Sequence, residues 1–407
     1  MERVAIISVD GHVKARRRDY RDYVEAKFLP EFDEQVKALE DAGMPDGANI
    51  HPRLGPDPQW DSDLRLSLLE SEGVVAEVLF PNGVPFQLNP FDDYAKSANP
   101  ELAGAGRRAY NRWLIDFCSL APGRRAGQML MSFGDVDRAV KDVYWAKDNG
   151  LRGIMIPAVE PGELYMFDPK LDPIWAAVEE TGLPLSQHGG AGIESYKPPG
   201  FALIMTLAVE NAFFANRSLW QMIAGGVFDK FPGLRAAWIE TQVFFMQAAI
   251  GQLDMLLGMG DSWMEWASFL GRDRSVQRLA SEYFGTNVFV GVSPFSSQQV
   301  PFDVLTGKSA KGDLPGFHIG PDATMFGADF PHFETIVPNT KAEASDLVNA
   351  PGVSDADARK ILFDNAATFY DFDPAVLQPH VDRVGFDSGD DHPREAPFAF
   401  LKQAANA

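Results

Sequence analysis

At 407 residues the chain exceeds the usual size of one domain, about 100–200 residues, but falls in the range of an α/β barrel carrying insertions. With 36 basic against 57 acidic residues, a formal net charge of −21, it lacks the concentrated basic surface that a nucleic-acid partner demands. One cysteine, Cys118, excludes an internal disulfide and a thiolate metal cluster; with no leader-type N-terminus and no apolar run of about 18 residues, the expectation is a cytoplasmic protein with no membrane partner.

Short apolar runs follow one another along the chain: VAIISVD (4–10), VVAEVLFP (74–81), AGQMLMSF (126–133), LRGIMIP (151–157), LPLSQHG (183–189), LRAAWIE (234–240), NVFVGVS (287–293) and TMFGADFP (324–331). Apolar residues on consecutive positions suit parallel strands covered on both faces. Between several of them lie helical patterns: residues 101–121, residues 135–150 with Asp135 as N-cap and Gly150 just past the end, and residues 172–182 closing on Gly182. Eight such units predict a (β/α)8 barrel over residues 1–370.

Three stretches break the regularity. Residues 13–62, rich in Pro, Gly and Asp, are too long for an ordinary connection and predict a lid over the first strand. Residues 190–233 form a long fifth connection, beginning GAGIESYKPPG, and residues 371–407 predict a C-terminal arm or tail rather than a second domain.

Barrel enzymes carry their chemistry at the C-terminal ends of the strands. The first strand ends in Asp10 and His12, the fifth in His188, the sixth in Glu240, and the eighth in Asp329 followed by His332. Asp10 and His12 are two apart and so share one side of a strand, with Gly11 leaving room for a close approach. Together with His188 and Asp329 they make two imidazoles and two carboxylates, a donor set for one divalent ion, Zn²⁺ first and Mn²⁺ second. Each alone has a plainer reading, a histidine bonding a carbonyl or an aspartate capping a helix; the joint placement on three strands favours the metal.

The order SVDGHV, LPLSQHGG, MFGADFPHFE and RKILFDNAATFYDF, with VFDKFPGLRAAWIET before the sixth strand, resembles the amidohydrolase superfamily over roughly residues 3 to 372. The similar branch includes aminocarboxymuconate semialdehyde decarboxylase and related aromatic-acid decarboxylases and hydrolases. The resemblance implies that Asp10, His12 and His188 ligate the ion. It implies that Asp329 both ligates it and exchanges a proton with its water. It also suggests a homodimer. Two departures stand out: Asp10-Gly11-His12 replaces the familiar His-x-His, and the sixth strand reads Ala236-Ala237-Trp238-Ile239-Glu240 where the decarboxylases carry a catalytic histidine.

His332 is the first candidate to replace that histidine as acid or base, and His51 could enter from the lid to contact substrate; Glu240 would position water or substrate. Arg53 and Arg217 are candidate clamps for a substrate carboxylate. The missing sixth-strand histidine tilts the expectation toward metal-dependent hydrolysis of a small aromatic or cyclic molecule through an activated water. The alternative is non-oxidative decarboxylation of an aromatic acid, and a catalytically silent binding module ranks last.

Overall fold

The computed structural model describes residues 3–47, 50–87, 97–157, 164–190, 201–259, 276, 278–293, 305, 307–309, 312–313, 316–332, 335, 337–390 and 392. The stretch after Gly190 that opens the fifth connection, and the tail past residue 392, lie outside them. Each of the eight apolar runs overlaps a strand: β1 (Ile6–Ser8), β2 (Val74–Pro81), β3 (Arg125–Leu130), β4 (Gly153–Met155), β5 (Leu185–His188), β6 (Ala236–Ile239), β7 (Val288–Val292) and β8 (Thr324–Phe326). They pair in parallel in exactly chain order, and a short His12–Val13 strand extends the first along β2.

The sheet closes on itself where β8 meets β1. Val9 N donates to Phe326 O at 2.9 Å, Asp329 N to Asp10 O at 3.0 Å and His12 N to Phe330 O at 2.7 Å. Ser8 adds a side-chain tie, accepting from Ala328 N at 2.9 Å. Closure makes this a (β/α)8 barrel and brings the C-terminal end of the last strand against that of the first.

The outer helices start and stop where local chemistry dictates. Among the longer ones are α1 (Leu29–Asp41), α2 (Ser62–Ser71), α3 (Pro100–Ser119), α4 (Val136–Asp148), α5 (Asp172–Thr181), α6 (Phe201–Ala224), α7 (Val243–Gly258), α8 (Thr340–Val348) and α9 (Pro374–Val384). The Asp61, Asn99 and Asp135 side chains accept from Leu64 N, Leu102 N and Arg138 N, satisfying donors that a first turn leaves free. Gly182, at φ 68°, ends α5 in the left-handed conformation that terminates many helices.

The 13–62 stretch carries α1, whose Phe32 and Val36 pack into the core, and returns to the barrel mouth through Gln59 O, which accepts from Lys14 N at 3.4 Å. At the opposite end the chain past residue 371 forms α9 and then pairs Phe386 with Val4 in both directions, at 2.8 and 3.0 Å. The Phe386 ring is buried beside Val4, Leu69 and Val74, a burial worth about 1.5–3 kcal/mol. This part of the tail is therefore docked helix and bridge, with Leu377 and Val384 of α9 buried in the core and Phe386 beside Val4.

Candidate metal centre

Six side chains converge at the C-terminal mouth. His12 Nε2 lies 3.2 Å from Asp10 Oδ1 and 3.4 Å from Asp329 Oδ1, and His188 Nε2 lies 3.1 Å from the same Asp10 oxygen. His332 Nδ1 stands 2.9 Å from Asp329 Oδ1, while Glu240 Oε2 reaches to 3.8 Å from His188 Nε2. Asp10, His12 and Asp329 are fully buried and His188 nearly so. Sets of three among the six place one ligand atom each within 4.8 Å of one another.

The orientation of the imidazoles tests whether an ion fits. His12 Nδ1 faces Pro81 O at 3.2 Å and His188 Nδ1 faces Gly189 O at 3.0 Å. A carbonyl only accepts, so in each neutral ring Nδ1 carries the hydrogen and Nε2 presents a lone pair. Both lone pairs then face carboxylate oxygens, an arrangement that repels unless a positive charge lies between them. Neither Asp329 oxygen makes a hydrogen bond of good geometry among the described residues, although both are buried. The donor set, carbonyl-backed histidines and buried carboxylates, fits a divalent cation.

The electrostatics make the same demand. Burial lowers the pKa of the His12 ring, but the facing Asp10 and Asp329 carboxylates overcome it and raise the pKa to about 10. Burial opposes ionisation of Asp10, yet the facing His188 and the bond to His12 hold it below the usual carboxylate range. Asp329 is likewise held low against burial, first by the charge of His332. The pocket thus requires positive charge, which a proton supplies where no ion is bound.

The backbone at the mouth is bent to aim these groups. Asp329, Glu240 and Gln242 have φ of 54°, 55° and 58°. An aspartate tolerates the left-handed region, whereas a glutamate pays roughly 1 kcal/mol or more to enter it. The turns at the ends of β6 and β8 therefore spend stability on direction, as functional sites commonly do.

Of the remaining expected residues, His51 has a described contact with the loop that carries Asp329 and His332. His51 is buried, its backbone N–H donates to Pro331 O at 2.9 Å, and Ile50 bridges to His332, so the 13–62 stretch returns directly alongside the loop after β8. Arg53 is exposed at the turn that follows. Arg217, on α6, is buried with its guanidinium 4.5 Å from the Phe214 ring and 5.5 Å from Phe213. In the sixth strand, Trp238 is barrel packing whose indole N–H donates to Ser218 Oγ at 3.0 Å.

Two polar residues absent from the sequence reading belong here. The Ser293 hydroxyl, at the end of β7, donates to Asp10 Oδ2, and Asn82, just past β2, faces His332 Nε2 at 3.2 Å. Both lie at or just past strand ends, near the signal that picked out His188, but Ser and Asn are common there and, being neutral and non-titrating, do not stand out as His or Asp does.

Comparison with known proteins gives a family and a set of similar structures. A family model described as amidohydrolase matches residues 90–239 and 299–372. A gamma-resorcylate decarboxylase of Rhodococcus jostii strain RHA1 is 26% identical over 357 residues, covering 83% of this chain and 99% of that protein. Among solved structures, an amidohydrolase from Mycobacterium avium subsp. paratuberculosis K-10 superposes with TM-score 0.62 at 19% identity, over 90% of this chain and 99% of that one. A dihydroxybenzoic acid decarboxylase from Polaromonas sp. JS666, solved with manganese and the inhibitor 2-nitroresorcinol, gives TM-score 0.58 at 17% identity, over 91% and 97%.

Proposed function

Given that the chain belongs to the amidohydrolase family, we propose that it is a metal-dependent carboxy-lyase that removes CO₂ from a small aromatic acid. The observation that carries this reading is the cage of Asp10, His12, His188 and Asp329, in a chain that matches a gamma-resorcylate decarboxylase over almost that enzyme's whole length. It reverses the preference for hydrolysis drawn from the sixth strand: an acid group already stands at the mouth in Asp329, backed by His332, so a sixth-strand histidine is not needed for proton delivery.

Asp10, His12, His188 and Asp329 would hold one divalent ion. Carboxylate oxygens make up half the set, which suits Mn²⁺ at least as well as Zn²⁺, and manganese accompanies the Polaromonas enzyme. Bound there, the ion supplies an electrostatic anchor for the substrate carboxylate and a neighbouring hydroxyl oxygen. Asp329, ionised in the resting site, would take up a proton through His332 and deliver it to the ring carbon that bears the carboxylate. The new C–H bond forms, the C–C bond breaks with its electron pair returning to the ring, and CO₂ leaves. His332, 2.9 Å from Asp329, passes it the next proton. Residues 13–62 act as the lid, since His51 and Gln59 tie that stretch to the mouth at Pro331 O and at Asn82, whose Nδ2 donates to Gln59 Oε1 at 2.7 Å.

The experiment is a screen of the manganese- and zinc-loaded protein against hydroxylated benzoates, following CO₂ release and loss of the acid. Turnover of at least one of them is expected. Hydrolysis of cyclic or aromatic amides or esters, with no CO₂ from any benzoate, would overturn this reading in favour of the hydrolase that the absent sixth-strand histidine suggests.

A further inference from the structure

Below the cage, on the far side of Gly11, lies a completely buried arginine. Arg65 comes from α2 and its guanidinium reaches into the wall of the barrel. Its Nη1 donates to His12 O at 3.0 Å and to Pro58 O at 3.1 Å, and its Nη2 to Phe330 O at 3.3 Å. Its Nε and Nη2 face Glu77 of β2, with Nε 2.9 Å and Nη2 2.7 Å from Glu77 Oε2. All five N–H groups of the fork therefore have acceptors, a pattern that the three donors of a lysine cannot reproduce.

These acceptors are not an arbitrary set. His12 is a ligand of the cage, Phe330 directly follows the ligand Asp329, and Pro58 belongs to the lid. One guanidinium thus clamps the backbones of the first and eighth strands at the seam where the barrel closes, with the returning lid attached to the same nitrogen as His12. Gly11 completes the arrangement: a Cβ there would lie 2.9 Å from Arg65 Nη2, 3.2 Å from Val78 O and 3.3 Å from Glu77 Oε2. The residue between Asp10 and His12 has no side chain because the guanidinium lies against its backbone.

We propose that Arg65 is the positioning residue of the metal centre, setting the spacing between the His12 and Asp329 ligands and coupling the lid to it. The inference rests on the metal reading above. A neighbouring arginine provides the control. Arg125 is also buried and also pairs with Glu77, at 3.2 Å, but its other bonds go to Ser62 Oγ and Phe117 O, neither of them a ligand of the cage nor next to one in the chain.

The test is Mn²⁺ binding to the purified chain, read by electron paramagnetic resonance and calorimetry, with folding checked by circular dichroism. Arg65→Lys should weaken Mn²⁺ at least about tenfold, the usual effect of removing support behind a ligand, while Arg125→Lys stays within about threefold of wild type. Equal losses in the two variants, or an unchanged affinity in Arg65→Lys, would overturn the proposal. If Arg65→Lys does not fold, Gly11→Ala carries the same prediction, because it displaces the guanidinium without removing its charge; wild-type affinity in that variant overturns it. A wild-type chain that takes up no Mn²⁺ would instead overturn the metal reading itself, and this inference with it.

Discussion

The His332 ring lies stacked on the His12 ring, with centroids 3.9 Å apart and planes within 19°, so the loop after β8 and the end of β1 form one continuous imidazole wall. His188 meets His12 edge-on at 4.7 Å, which completes the wall on the fifth-strand side. A cation among the carboxylates and a proton on His12 are alternatives, because each would take the Nε2 lone pair that faces Asp10 and Asp329.

Removing a ligand should remove the ion. Asp10→Ala and His188→Ala are each expected to lower Mn²⁺ or Zn²⁺ affinity by more than about 100-fold, beyond the effect of losing a supporting residue. Mass spectrometry of the chain purified without chelators, giving one equivalent in wild type and none in the variants, is the check.

Ser293 acts one step further out. Its hydroxyl orients Asp10 through Oδ2, so Ser293→Ala should cost about 10–100-fold in metal affinity with the fold intact. Titration with Mn²⁺ against a circular-dichroism control measures it, and wild-type affinity would remove Ser293 from the site.

Asp329→Asn keeps the shape of the side chain and one ligand oxygen but cannot carry the proton. We expect kcat to fall by roughly 10²–10⁴, the usual contribution of a positioned acid or base, with metal still taken up. Single-turnover CO₂ release at saturating metal separates this from a loss of binding.

Gly106 lies within α3, where glycine to alanine ordinarily stabilises by about 1 kcal/mol. Here a Cβ would fall 1.7 Å from Pro85 O, a backbone atom, so the sign reverses. Gly106→Ala should destabilise by about 3 kcal/mol or more, visible as a lower midpoint in urea.

Glu70 joins α2 to the tail helix α9. Hydrogen bonds from Arg383, opposed by burial and aided by Arg124, pull its pKa from 4.5 down to about 2. A carboxylate with a depressed folded-state pKa contributes stability above its unfolded value and loses it as pH falls through the folded one. Arg383→Ala should therefore destabilise by about 1 kcal/mol at pH 7, with the difference fading between pH 4.5 and 2. Melting curves of both proteins across that range are the measurement.

Much of this molecule is written in local pattern. Consecutive apolar residues marked all eight strands, since a strand covered on both faces leaves the same signature wherever it lies. The two-residue spacing of Asp10 and His12 placed both on one side, because alternation along a strand is a property of the backbone alone. Glu240, Asp329, His188 and His332 were legible as titratable groups at strand ends, where a barrel gathers them.

Tertiary structure decided the rest, because barrel closure sets distances that no sequence interval contains. Arg65 and Phe330 are 265 positions apart, yet a single hydrogen bond joins them, and an arginine in an outer helix has no local mark to distinguish it from a solvated one. The same holds for Ser293, which reaches Asp10 across 283 positions only because β7 and β1 flank β8. Residue types and their faces came from the chain's local order; which atoms share one buried charge was settled where the last strand meets the first.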